Sequence, residues 1–163
     1  EERFSRLKHQ AGFPSLAVQH ALGHAGLAPN DIDHIAISRD NNAHLHKKLM
    51  FALSKGPSFA MLRDRLTNAS KIRDVKSSVA DLAGVAESRL GAEVHRVEHH
   101  HAHMASAFFV SPFEEAALLS IDGFGDFVST MWGRGAGNRI EVDDWVEFPH
   151  SVGLLYTAIT QYL

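Results

Sequence analysis

Four of the five residues from His99 to His103 are histidines, with only Ala102 interrupting the run. On a helix, His99 and His103 would lie on one face about one turn apart, so that two imidazoles could converge on one ion. His100 and His103 form a second candidate pair at a spacing of three. Neutral imidazole is a borderline donor that binds zinc or ferrous iron. A single pair at such a spacing is common on solvated helices that carry no ligand. Four histidines beside an apolar strand favour metal. The internal, interrupted run is unlike an affinity tag.

Asp122-Gly123-Phe124-Gly125-Asp126 is the second chemical feature. An Asp at the carboxyl end of a buried strand can hold a cation while glycines let backbone N–H groups approach a phosphate. The competing reading is a β-hairpin turn in which Asp122 is only a turn former. Ser129 and Thr130 could return hydroxyls toward the same turn, although Thr is ordinary in strands. Arg3, Arg6, Lys8 and His9 cluster cations that could clamp an anionic substrate, against the alternative of a solvated surface. Ser151-Val152-Gly153 opens a helix whose N–H groups could meet a nucleotide; the plainer reading is a helix capped by Ser151.

The composition narrows the chemistry. No cysteine is present, which excludes disulfides and thiolate sites and leaves histidine and carboxylate to bind iron, zinc or manganese. A net charge of −3 argues against a nucleic-acid binder that neutralises phosphates. The apolar stretches, such as Ala116 to Leu119, are too short to span a membrane, and no signal segment opens the chain, so a cytoplasmic protein is expected. With 163 residues, one domain is expected. The start at Glu1 without Met and the stop inside a helical pattern suggest a piece of a longer protein.

These residues need elements to position them. A helix is predicted from Pro14 through Ala25, closed by Gly26, Pro29 and Asn30, then a short buried strand over 31–38. From Asn41 to Leu90 the apolar steps of three and four predict a helical insert. One helix carries Leu45, Leu49, Phe51 and Leu53, and a second carries Phe59, Leu62 and Leu66. A third runs from Val75 to Leu90 and ends at Gly91. The insert's basic residues, Lys47 and Arg63 among them, read as a solvated face. Ala92 to Val97 is a strand candidate and Ala102 to Val110 continues a helix. Three strands follow at 115–122, 126–133 and 139–148, with Gly133, Gly135, Gly137 and Asn138 as a turn. The class is α/β with a late three-strand meander.

Together, Glu98-His99-His100-His101-Ala102-His103-Met104-Ala105-Ser106-Ala107-Phe108, Ser111-Pro112-Phe113 and Asp122-Gly123 resemble the signature of nodulation-type and antibiotic-tailoring O-carbamoyltransferases. The opening 1–9 and the late 149–156 are similar to flanking motifs of that family. The resemblance implies a partial actin-like ATPase, ribonuclease-H-like domain. The chain would be a fragment, 1–163, of the amino-terminal carbamoyltransferase domain, with a helical insert at about 41–90. It implies condensation of carbamoyl phosphate with ATP to carbamoyl adenylate, then carbamoyl transfer to the hydroxyl of a small-molecule acceptor. No nucleic acid or membrane takes part, and the fragment is expected to be inactive alone. By motif match, His99, His103 and Asp122 bind a divalent metal, implied to be iron. Gly123 and Gly125, with Ser151 and Gly153, meet the nucleotide and its phosphates, and Arg6, Lys8 and His9 contact carbamoyl phosphate. No catalytic residue is assigned. His101 stands where such sequences often carry an apolar residue, so the choice among the four imidazoles stays open.

A tRNA threonylcarbamoyl-transferring protein of the same superfold and a non-catalytic metal-binding domain are the alternatives. The Asp122-Gly123 feature argues against the latter, because bare metal storage needs no phosphate loop. A sugar kinase of this fold does not call for a histidine cluster.

Overall fold

The computed structural model describes residues 1–7, 12–40, 42–55 and 75–163. They divide into two units, Glu1–Ile35 with Lys55–His95, and Ala36–Ser54 with Arg96–Leu163.

In the first unit, α1 (Glu2–Ser5) stops at Arg6, whose φ of 60° is left-handed. Helix α2 (Ser15–Ala25) starts after Pro14 and stops at Gly26, φ 69°, whose N–H bonds the Leu22 and Gly23 carbonyls. A 3-10 turn, Pro29–Asp31, leads on to strand β1 (His34–Ile37). That strand is shorter than its sequence pattern suggests, because Asp31 folds back to accept the Ala28 N–H at 2.8 Å.

Two of the three helices predicted for the insert are present, α3 (Leu45–Lys55) and α4 (Val75–Ala83). The one assigned to Phe59, Leu62 and Leu66 lies outside the described residues. Helix α4 ends at Gly84 rather than Gly91. Gly84 takes a φ of 66°, its N–H bonds Asp81 O at 3.1 Å, and the Val85 N–H bonds Ala80 O at 3.1 Å. This reciprocal pair terminates a helix whatever apolar spacing follows. A 3-10 turn, Glu87–Arg89, then brings Leu90 into a core with Val79 and Ala92, flanked by Phe13, Ile32, Ile35 and Val75.

Strand β2 (Glu93–Arg96) pairs with β1. The Glu93 N–H bonds Asp33 O at 2.8 Å and the Val97 N–H bonds Ile37 O at 2.9 Å. Partners advance in the same direction on both strands, so the pair is parallel.

In the second unit, β3 (Glu115–Gly125), β4 (Val128–Ala136) and β5 (Arg139–Glu147) form the antiparallel meander in that order. The first hairpin turns at Asp126 and Phe127, both at positive φ, and the second at Gly137 and Asn138. Gly133 and Gly135, expected in that turn, instead lie inside β4. A Cβ on Gly133 would strike the Glu141 carbonyl, and one on Gly135 the Phe108 ring. These glycines serve packing, not turning.

Helix α5 (His99–Phe108) lays a stripe of His100, Met104 and Phe108 over the sheet, against Leu118, Val128 and Met131. The four-residue spacing of that stripe is the pitch of one helix face. Strand β3, expected to be buried, is covered on this face only: Leu118 and Ser120 are buried, whereas Leu119 and Ile121 point away and are exposed. Helix α6 (Val152–Tyr162) follows β5, and α3 touches the meander through Lys47 and Glu147, 3.3 Å apart, and an edge-on contact of Phe51 with Phe148. Among the described residues no helix is long and apolar enough to cross a membrane.

Candidate metal centre

Two periodicities bring the donors together. Along β3 the residues facing α5 are Leu118, Ser120 and, two further on, Asp122. On α5 the row beside the buried stripe is His99 and His103. At the end of β3 the two rows meet: His99 Nε2 lies 3.0 Å from Asp122 Oδ2 and 3.0 Å from His103 Nε2, and His103 Nε2 lies 3.7 Å from Asp122 Oδ2. All three ligand atoms fall within 4.8 Å of one another.

The structure sorts the four histidines. His100 is fully buried and spends both ring nitrogens, Nδ1 on Ser120 Oγ at 2.8 Å and Nε2 on Val128 O at 3.0 Å. It is therefore a structural residue. His101 contributes its backbone N–H to Glu98 Oε2 at 2.7 Å, the N-cap bond of α5. His99 and His103 remain to converge on Asp122.

The donor set fits a cation. His99 Nε2 faces both Asp122 and His103, yet has a single lone pair or proton to offer. Its Nδ1 faces Ser38 O at 3.4 Å, which would accept an Nδ1 proton and free the Nε2 lone pair if a cation were bound. Without a cation the 3.0 Å contact is a hydrogen bond from His99 Nε2–H to Asp122, and a cation among the three atoms would take the place of that proton. Two imidazoles and one carboxylate form a three-ligand set with open positions.

The supports around the triad come from backbone geometry. Asp126, at φ 49°, accepts the Asp40 N–H at 2.7 Å and the His99 N–H at 3.1 Å on Oδ2, fixing the start of α5. Gly125 is pressed against the His99 ring. Asp122 Oδ1 accepts the Gly123 N–H at 2.6 Å. The hydrogen bond from His99 and then that of Gly123 hold the Asp122 carboxyl below the usual carboxylate range.

Ser151 caps α6, accepting the Leu154 N–H at 3.1 Å, and its Oγ lies 2.8 Å from Gly123 O and 3.2 Å from Asp122 O. The N-terminus of α6 is thereby set against the Asp122-Gly123 backbone. Gly153 is required there, because a Cβ would meet the Asp122 carbonyl carbon at 2.5 Å and Gly123 N at 2.8 Å. Gly153→Ala is expected to destabilise the protein by about 1–3 kcal/mol, since both obstacles are backbone. Urea denaturation measures it, and an unchanged midpoint would contradict the packing.

Several sequence expectations fall elsewhere. Gly123 and Gly125 belong to β3 rather than to a turn, which sits at Asp126 and Phe127. Ser129 is buried and donates to His150 O at 2.6 Å, not toward Asp122. Arg6 belongs to the other unit, and Lys8 and His9 lie outside the described residues. The roles of Asp126 and Ser38 were missed. Asp126 carried a legible signal as the acidic residue after the glycines; a backbone carbonyl such as that of Ser38 carries none.

His100 also predicts an acid sensitivity. Burial pushes its imidazole below its ordinary value, against the partial offset of the Val128 carbonyl. A depressed folded value means that its stabilisation is complete above the unfolded value, about 6.5, and is lost as the pH falls toward the folded one. His100→Leu should cost about 1–3 kcal/mol at neutral pH by orphaning Ser120 Oγ and Val128 O. That deficit should shrink at pH 5, as denaturant titrations at both pH values would show.

The convergence of His99, His103 and Asp122 defines a candidate metal centre. Comparison with known proteins gives the family. Residues 1–163 match the family described as Carbamoyltransferase N-terminus, and the chain belongs to it. An uncharacterised protein of Synechocystis is 36% identical over 99% of this chain and 27% of its own length. The nodulation protein NolNO of Sinorhizobium fredii is 34% identical over 100% of this chain and 23% of its own. A probable carbamoyltransferase, HypF, of Methanocaldococcus jannaschii is 35% identical over 49% of this chain and 12% of its own. The chain thus spans about a quarter of the length of the first two relatives.

Proposed function

We propose that this chain is the metal- and phosphate-binding amino-terminal part of a cytoplasmic, ATP-using O-carbamoyltransferase. The proposed reaction consumes carbamoyl phosphate, water and ATP, forms carbamoyl adenylate with release of inorganic phosphate and pyrophosphate, and transfers the carbamoyl group to a hydroxyl of a small-molecule acceptor with release of AMP. The observation that carries this reading is the convergence of His99, His103 and Asp122 next to the N-terminus of α6 in a chain of the carbamoyltransferase family. The β3–β4–β5 meander followed by α6 supports an actin-like ATPase, ribonuclease-H-like domain, with the insert at about 41–90.

His99, His103 and Asp122 would hold the divalent ion, for which iron is the proposal. When bound, such an ion neutralises phosphate charge and polarises the oxygens that it touches. The chain's own residues do the positioning. Asp126 and the Ser38 carbonyl orient His99. Ser151 ties the N-terminus of the 11-residue α6 to the Asp122-Gly123 backbone, and a helix N-terminus there would suit a phosphate. Gly125 and Gly153 let β3 approach His99 and α6 approach the Asp122 backbone; Gly123, Gly125, Ser151 and Gly153 are proposed for the nucleotide and its phosphates on the family resemblance. Arg6, Lys8 and His9 are proposed for the anionic substrate on the family resemblance.

The test uses the full-length protein that contains this region. ATP consumption and pyrophosphate release should depend on carbamoyl phosphate, and carbamoyl transfer should fall by more than about 100-fold when Asp122 becomes Asn. Turnover without carbamoyl phosphate, or an Asp122→Asn variant as active as the parent, would overturn the proposal.

A further inference from the structure

A second convergence of metal-type donors lies in the first unit. His34 opens β1, and Glu93 and His95 stand two residues apart on β2, hence on one face of that strand. The Glu93 N–H bond to Asp33 O sets the two strands so that His34 stands beside that face. His34 Nδ1 lies 2.9 Å from His95 Nε2, which in turn lies 3.9 Å from Glu93 Oε2, and the three ligand atoms fall within 4.8 Å of one another. The rings are tilted by 49° with centroids 5.0 Å apart, so the nitrogens, not the ring faces, make the approach.

We propose that His34, Glu93 and His95 form a second divalent transition-metal site, distinct from the triad of His99, His103 and Asp122, with zinc as its expected occupant. The donor set is two imidazoles and one carboxylate, which suits zinc and leaves a coordination position open. Without a cation, only one proton can lie between His34 Nδ1 and His95 Nε2, and the carboxylate stays too far away to share it. A cation satisfies all three at once. The side chains of His95 and Glu93 are 42% and 70% exposed, so an ion can reach them from solvent. Bound there, it would bridge β1 to β2 and stabilise the folded form by an amount that rises with the logarithm of its concentration.

The pair His20 and His24 on α2 is the internal contrast. Those residues are four apart on a helix, but their rings stack at 19° with centroids 6.4 Å apart, and among the described residues no carboxylate joins them. Spacing alone does not make a site; convergence of ligand atoms does.

The experiment is a chelator-competed titration of the folded chain with zinc, followed by thermal unfolding at rising zinc concentration. The expected result is two tight equivalents for the parent. His34→Gln/His95→Gln should lose one of them, His99→Ala/His103→Ala should lose the other, and His20→Gln/His24→Gln should lose neither. The zinc-dependent rise in Tm should persist in the His99→Ala/His103→Ala variant and vanish in the His34→Gln/His95→Gln variant. Glu93→Gln should weaken the second site without affecting the first. Equal zinc binding by the parent and the His34→Gln/His95→Gln variant would overturn the proposal. So would an equal loss from the His20→Gln/His24→Gln variant, which would mean diffuse binding by surface histidines.

Discussion

Replacing His99 and His103 together with alanine is expected to strip the metal from the triad while the fold survives. Neither side chain belongs to the core: they are 27% and 51% exposed. Helix α5 keeps the His100, Met104 and Phe108 stripe and its Glu98 cap, and alanine is a better helix former than histidine. Loss of an outer-shell partner typically weakens metal binding about 10–100-fold, and loss of two direct ligands should exceed that. Asp126→Asn, which acts through the backbone N–H groups of His99 and Asp40 and not as a ligand, should fall within that smaller range. His101→Ala should change nothing. Elemental analysis after desalting, with circular dichroism as the fold control, measures all three; unchanged metal content in the double variant would end the assignment. Acid should release the ion in a recognisable way. The Asp122 carboxyl is held below the usual range, so it stays anionic as the pH falls. Release should therefore follow loss of the imidazole ligands, which bind only when neutral, and not loss of the carboxylate. A release midpoint in the ordinary carboxylate range would place the weak point at Asp122 instead.

Much of this site was legible because it rests on two short-range rules. Residues four apart on a helix share a face, and residues two apart on a strand do too. His99, His103 and Asp122 needed only those rules and the adjacency of α5 to β3. The choice among four histidines was not legible, because it depends on which face of α5 meets the sheet. Burial of His100 against Ser120 and Val128 decides it, and those partners lie 20 and 28 residues away. The meander was readable from alternation and turn residues, but the glycines misled. Gly133 and Gly135 look like turn formers, yet they answer to the Glu141 backbone and the Phe108 ring, neighbours that no local pattern reveals. The end of α4 failed similarly: an apolar stripe continues to Leu90, but Gly84 closes the helix earlier through backbone bonds. The His34, Glu93 and His95 group was wholly hidden, since it needs the pairing of two strands far apart in the chain.

Gly125→Ala should cost both stability and metal binding, and the manner of its rescue separates the causes. The φ of Gly125 is not in the left-handed region, so backbone strain is not the issue. The obstacle is His99: a Cβ at Gly125 would overlap the ring at Cγ and Cδ2 and come within 2.6 Å of the His99 Cβ. The ring could turn away, but its Cβ is fixed by a helix whose first N–H is held by Asp126, the residue next to Gly125. Either α5 lifts from the end of β3 or His99 leaves Asp122. The expected cost is about 1–3 kcal/mol of stability, the usual penalty for an unaccommodated group, together with loss of the bound metal. Adding His99→Ala removes the overlapping ring. Gly125→Ala/His99→Ala should therefore be at least as stable as Gly125→Ala alone, and more stable than the two single effects added together, while still failing to hold metal. Urea titrations of the four proteins close that double-mutant cycle. Simple additivity would mean that the glycine serves the strand and not the imidazole, and the close fit of β3 to the start of α5 would lose its place in the construction of the metal centre.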